Sequence, residues 1–331
     1  MAESSTISIA SKDLRVTVNP QVGGTITSIA HLGLGLSILG SVPWDPVDAP
    51  IESFGARDEA EWLTRYGGGW PLLFPNGGDA CIVDEVFHGF HGEASIAPWT
   101  VTASAESISL VRRFLTVPVE MHREFSVEGD MLVIRERLRM SGQHPIDVMW
   151  GHHPTFGSDL LAGPVEITAG TRHVTVDDTY DPAANPLLPG VAGTWPIVAG
   201  KTGPVDLSRP TGTMAAMVYL HDFEEAWIAM RRTDNAIAVV LSWDAACFPC
   251  AWLWYELGGT PEAPWHGRGR VIGLEPNSTR PGMGLANAKL RGSTLLRLHP
   301  GEEISTTLRL HVFRPSGAIT AVDSSGRAVA A

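Results

Sequence analysis

The sequence predicts an all-β chain, a large antiparallel β-sandwich, and three observations predict it. Polar and apolar residues alternate in many short runs bounded by turn residues. Gly (35) and Pro (24) are abundant enough to punctuate many turns. Lysine occurs only at Lys12, Lys201 and Lys289, whereas exposed helical faces use it freely.

The opening run Ser5-Thr6-Ile7-Ser8-Ile9-Ala10 alternates, and so does Leu14-Arg15-Val16-Thr17-Val18. A turn at Asn19-Pro20 and a break at Gly23-Gly24 precede Thr25-Ile26-Thr27-Ser28-Ile29. The same period of two predicts strands within residues 101–117, 122–127 and 131–140, and again within 215–220, 226–231, 236–243 and 306–313. Glu128-Gly129-Asp130 and Pro300-Gly301-Glu302 read as turns. Residues 56–65 are the best short helix. Strands without intervening helices favour antiparallel sheets over βαβ units. The Pro- and Gly-rich residues 180–210 read as a loop over a sandwich face, so residues 1–331 form a single domain, with a loose tail after about 316.

Composition excludes several functions. The formal charge of −12, without a basic stripe, speaks against nucleic acid. At 44% hydrophobic and 18% charged residues the chain is not disordered. No apolar run reaches the ~18–20 residues of a membrane span, and no secretory signal precedes the first strand, so no membrane partner is expected. Three cysteines, Cys81, Cys247 and Cys250, cannot form a disulfide framework; a reduced, cytoplasmic chain is the expectation. Cys247 and Cys250 flank two residues, but without a second pair for zinc or a βαβ context for redox work they read as buried thiols. A monomer or a homodimer is compatible with the sequence.

Three clusters carry candidate chemistry. Residues 65–76 (RYGGGWPLLFPN) lead to His88-Gly89-Phe90-His91-Gly92; the triple glycine permits close backbone approach to a ligand, and a plain turn explains it equally well. In Trp150-Gly151-His152-His153-Pro154-Thr155-Phe156 adjacent histidines on a strand face opposite sides, so one can serve a pocket. In Val271-Ile272-Gly273-Leu274-Glu275-Pro276-Asn277 a carboxylate ends an apolar run, where desolvation raises its pKa towards that of a general base. The eleven tryptophans are numerous for this length, and Trp stacks on sugar rings as well as filling cores.

Together the clusters resemble the aldose 1-epimerase (galactose mutarotase-like) family. The matching stretches are Gly68-Gly69-Trp70-Pro71-Leu72-Leu73-Phe74-Pro75-Asn76, His88-Gly89-Phe90, His153-Pro154-Thr155-Phe156 and Leu274-Glu275-Pro276, in that order. The resemblance spans about residues 14–313. It implies a β-supersandwich and no metal or organic cofactor. It also implies Glu275 as general base, His153 as general acid and His88 as a second, sugar-orienting histidine. Arg65, Trp70, Asn76, His152, Asp222 and Trp254 are further candidates for binding the carbohydrate, and His152 competes with His153 for the inward position. Relatives that act on hexose phosphates follow His-Gly-Phe with Ala-Arg; His91-Gly92 stands here, which speaks against a phosphorylated sugar. The expected reaction is the exchange of α and β anomers of an unphosphorylated sugar or sugar derivative. Two alternatives accompany it: a catalytically idle carbohydrate-binding sandwich, and a metal-dependent cupin-like enzyme using His88, His91, His152 and Glu275.

Overall fold

A computed structural model of the chain describes residues 6–51 and 53–330. Two large antiparallel sheets build it. One has eight strands in the spatial order Val165–Ala169, Trp227–Arg232, Ala238–Ser242, Glu303–Phe313, Met131–Met140, Val119–Glu128, Ser107–Arg113 and Thr100–Ala103. The other has ten strands, with Met214–His221, Cys250–Leu257 and Arg270–Asn277 at its centre and Gly151–His152 beside the last of these. The first strands, Ile7–Ala10, Leu14–Asn19, Thr25–His31 and Leu36–Ser37, form a separate four-stranded sheet. Ser5, the first residue of the opening run, lies outside the described residues.

Alternation explains the layering. On Met131–Met140 the side chains of Leu132, Ile134, Leu138 and Met140 are buried, while Arg135, Arg137 and Arg139 face solvent. From the other sheet Val218, Leu220, Leu253, Ile272 and Leu274 join Leu132, Ile134, Phe125 and Leu308 in one apolar core. Burying such side chains contributes about 1.5–3 kcal/mol each, which fixes strand register. The outward row of Arg270–Asn277 is therefore Val271, Gly273, Glu275 and Asn277, and that of Cys250–Leu257 includes Trp252 and Trp254.

The strands expected in both halves of the chain are present. The helix Glu59–Leu63 falls inside residues 56–65, with Asp58 accepting from the Glu61 backbone N–H as its N-cap. Three features differ from the sequence reading. Residues 180–210, taken for a loop, carry the short strands Ala192–Thr194, Ile197–Gly200 and Gly203–Asp206, which extend the ten-stranded sheet. A second helix, Leu285–Arg291, closes on Gly292 in the left-handed conformation; it is too short to show helical periodicity. The tail is not loose. Ile319–Val322 pairs with Ala328–Ala330, and Ile319 packs among Trp227, Ala229 and Val240, an apolar anchor hidden in a small-residue sequence.

Among the described residues no helix is long and apolar enough to cross a membrane. The three cysteines are free thiols, and burial pushes the Cys250 thiol up to about 12, far from the reactive range.

Candidate active site

The outward face of the ten-stranded sheet is roofed by loops, and between them lies a cavity of about 880 Å³. That volume falls within the about 300–1,000 Å³ of small-molecule sites. Its wall holds His91, His153 and Glu275 together with Trp62, Tyr66 and Trp254.

Glu275 reaches this wall because it is two residues beyond Gly273 on the same face of its strand. A Cβ placed on Gly273 would lie 2.1 Å from Glu275 Oε1, so only glycine leaves room for the carboxylate. Gly273→Ala is expected to keep the fold, because a side chain rather than backbone is displaced. It should lower turnover by about 10²-fold, the scale of a 1 Å misplacement. Circular dichroism and single-turnover kinetics check this; wild-type turnover would show that the carboxylate position is not used.

His153 follows the short strand Gly151–His152, and its backbone N–H donates to the Pro71 carbonyl at 3.0 Å. Its Nδ1 stands 2.8 Å from Glu275 Oε1. Both groups are almost fully buried, and their N–H and lone pair are not aligned for an ideal hydrogen bond. Such loose contacts are common in unliganded sites and tighten around substrate. Burial pushes the Glu275 carboxyl up from its ordinary range, and the neighbouring imidazole draws it partly back. Tyr66 holds the His153 ring in place, parallel to it within 3° at 5.7 Å, while its hydroxyl bonds to Thr155 Oγ1 at 3.0 Å.

His91 completes the group. Its ring is 5.3 Å from that of His153. Its backbone takes a left-handed φ of 55°, and the Gly78 N–H donates to its Nδ1 at 2.9 Å. A ring that accepts at Nδ1 carries its proton on Nε2 when neutral. Burial and the nearby His153 push its pKa well down, so it stays neutral and offers an N–H donor.

Of the residues expected in the site, the fold brings together His153, Glu275 and Trp254. The others lie elsewhere. His88 ends the strand Val86–His88, paired with Cys81 and buried outside the cavity wall; the turn after it swings His91 in instead. His152 faces the core between the sheets: Trp70 Nε1 donates to its Nδ1 at 3.0 Å, and its Nε2 lies 3.2 Å from Glu136 Oε2. Alternation thus resolves the doublet, and it takes Trp70 into the core as well. Asn76 is fully buried and saturated, donating to the carbonyls of Asp79 and Gly89 and accepting from the Leu285 N–H, so it has no capacity left for a sugar hydroxyl. Arg65 lines a smaller hollow of about 190 Å³ behind Trp62 and Tyr66. Asp222 is exposed and bonds to His221 Nδ1 at 2.8 Å.

The set proposed for a cupin-like metal, His88, His91, His152 and Glu275, therefore does not converge. Among the described residues no group of three or more His, Cys, Asp or Glu side chains is placed to hold a metal ion. From the sequence, His91 has a role only as a ligand of the cupin-like alternative, and Tyr66, Trp44, Trp62 and Trp265 have none. The signal in the sequence is the second histidine of His88-Gly89-Phe90-His91, three residues after the one that the resemblance singles out.

No protein-family model matches the chain, and no curated protein matches it in sequence. Solved structures do. The chain is similar to the Slr1438 protein of Synechocystis sp. PCC 6803, with 18% identity and a TM-score of 0.65 over 93% of this chain and 96% of that one. It is similar to an Escherichia coli K12 protein provisionally named an aldose 1-epimerase, with 14% identity and a TM-score of 0.64 over 93% and 99%. It is also similar to a galactose mutarotase related enzyme of Lactobacillus acidophilus, with 15% identity and a TM-score of 0.62 over 93% and 97%. At these identities the likeness is one of fold: the chain is a galactose mutarotase-like β-sandwich.

Proposed function

We propose that the chain is a mutarotase, exchanging the α and β anomers of an unphosphorylated sugar. The observation that supports this best is the short contact between His153 and Glu275 in the wall of a ring-lined cavity. The two oxygens that must trade a proton, the C1 hydroxyl and the ring oxygen, sit on one carbon. A carboxylate and an imidazole side by side can reach both.

In the forward step ionised Glu275 takes the proton of the C1 hydroxyl while protonated His153 gives its proton to the ring oxygen. The C1–O5 bond breaks and an open-chain aldehyde forms. Rotation about C1–C2 presents the other face, and reclosure returns the protons in reverse. Between opening and reclosure Glu275 holds a proton and His153 lacks one; reclosure restores both, so the cycle takes no proton from solvent. Neutral His91 donates through Nε2 and orients the sugar.

Exchange spectroscopy by NMR over a panel of reducing sugars tests this reading. At least one sugar should exchange its anomers at a rate proportional to protein concentration. The profile should be bell-shaped, because one group must be ionised and its neighbour protonated. Activity should rise with pH through the Glu275 pKa, and burial places that limb above the ordinary carboxylate range. Saturable binding of sugars without any acceleration would instead favour an idle carbohydrate-binding sandwich.

A further inference from the structure

The cavity extends beyond the reacting pair into a corner of tryptophans. Trp44 and Trp265 meet edge to face, with ring centroids 4.8 Å apart and planes at 84°. Trp254 meets Trp265 at 5.7 Å and 69°. All three rings line the cavity, and an ammonium group close to an indole face is attracted by its ring quadrupole. Trp254 is also 5.7 Å from the His153 ring, so one indole borders both the corner and the chemistry.

Charge points the same way. Asp45 adjoins Trp44 in sequence, and Glu262 lies three residues before Trp265; both line the cavity, with Glu59 and Asp79 further along its mouth. None of these four carboxylates makes an ion pair among the described residues, and no Lys or Arg lines this cavity. Deeper in the same cavity Glu275 is 1% exposed, and its Oε1 has no aligned hydrogen-bond partner. A phosphate, carboxylate or sulfonate would meet the rim carboxylates there and no Lys or Arg. A cation would be drawn in by the rim and held against the ring faces.

Resting on the mutarotase reading, we propose that the substrate is a reducing sugar carrying an ammonium or N-methylated ammonium substituent, with its C1 at Glu275 and its cation in the Trp44–Trp254–Trp265 corner. Trp254 would then lie along the sugar between the two ends. The neutral sugar of the same skeleton fills the reacting end alone and gains nothing from the corner.

The test uses the full chain and two readouts. Calorimetry gives Kd for glucose, for its 2-amino, 3-amino and 6-amino deoxy derivatives in their protonated and N-trimethylated forms, and for glucose 6-phosphate and glucuronate. NMR exchange gives the anomer rates for the same sugars. At least one ammonium sugar should bind 10-fold or more tightly than glucose at low salt, and both anions more weakly than glucose. Trp44→Leu and Glu262→Gln should each reduce the ammonium preference several-fold; the second, an exposed isosteric change, leaves folding untouched. The proposal is overturned if no ammonium sugar outbinds glucose, or if the preference survives both substitutions. The two readings fail separately. Selective binding of ammonium sugars with no anomer exchange sinks the mutarotase reading and keeps the cation site, whereas exchange of neutral sugars without ammonium preference does the reverse.

Discussion

Glu275→Gln is expected to lower kcat for anomer exchange by about 10²–10⁴-fold, the contribution of one positioned acid or base. Glutamine keeps the shape and the packing against Gly273, so the fold should survive. It cannot accept a proton from the C1 hydroxyl. The acidic limb of the pH profile should vanish with it, because that limb is the ionisation of this buried carboxyl. His153→Ala should cost a similar factor. The double variant should be scarcely worse than either single one, because residues that act as a unit do not add. Their 2.8 Å contact makes them such a unit. Stopped-flow polarimetry or NMR exchange measures all three. Multiplying losses in the double variant would mean that the two side chains act independently.

The second large effect lies away from the cavity. Arg123→Met is expected to lower stability by about 3 kcal/mol, read from urea unfolding, because it strands a charge between the sheets. Arg123 is 1% exposed and its Nε bonds to Glu136 Oε1 at 2.6 Å. Its guanidinium also donates to the Gly24 carbonyl at 3.2 Å and lies over the Phe125 ring at 5.0 Å. Burial would raise the Glu136 carboxyl. The neighbouring His152 and Arg123 prevail and hold it well below the ordinary carboxylate range. A carboxyl depressed in the folded state adds stability above its unfolded pKa of about 4.3 and loses it as pH falls towards the folded value. Wild type should therefore lose this term only in acid below about pH 4, and the Arg123→Met loss should shrink in the same window. Adding Glu136→Gln to Arg123→Met should recover most of the loss at neutral pH. A variant as stable as wild type would mean that the carboxylate finds another cation.

How much of this was legible in the sequence depends on the range of the forces involved. Period-two alternation is local, so the long strands of both large sheets could be read directly, whereas the short edge strands within residues 180–210 and the orientation of Glu275 could not. The pairing of His153 with Glu275 joins residues that are distant in the chain, and only ordered motifs suggested it. Local pattern failed where the partner was non-local. Asn76 and His152 are polar residues in motif positions, yet both are held by buried hydrogen bonds to segments far along the chain, Asn76 to the Leu285 N–H and His152 to the Trp70 indole. The place of His91 beside His153 was not legible, because a left-handed turn, not a strand, aims it. Trp44 and Trp265 sit on irregular segments whose course no periodicity encodes.

The chemistry and the tryptophan corner rest on different kinds of scaffold. His153 and Glu275 are set by ladder pairings between Gly151, Asn277 and Leu73, where a one-residue insertion would swap every inward and outward side chain. Trp44, Asp45, Glu262 and Trp265 lie on connecting segments outside any strand. Such segments accept insertions and exchanges that ladders do not. On the proposed mutarotase reading, divergence of this chain can therefore rewrite which appendage a sugar must carry while the His153–Glu275 pair stays unaltered. Transplanting residues 42–66 and 258–268 into another sandwich of this fold is the route by which that selectivity could be moved.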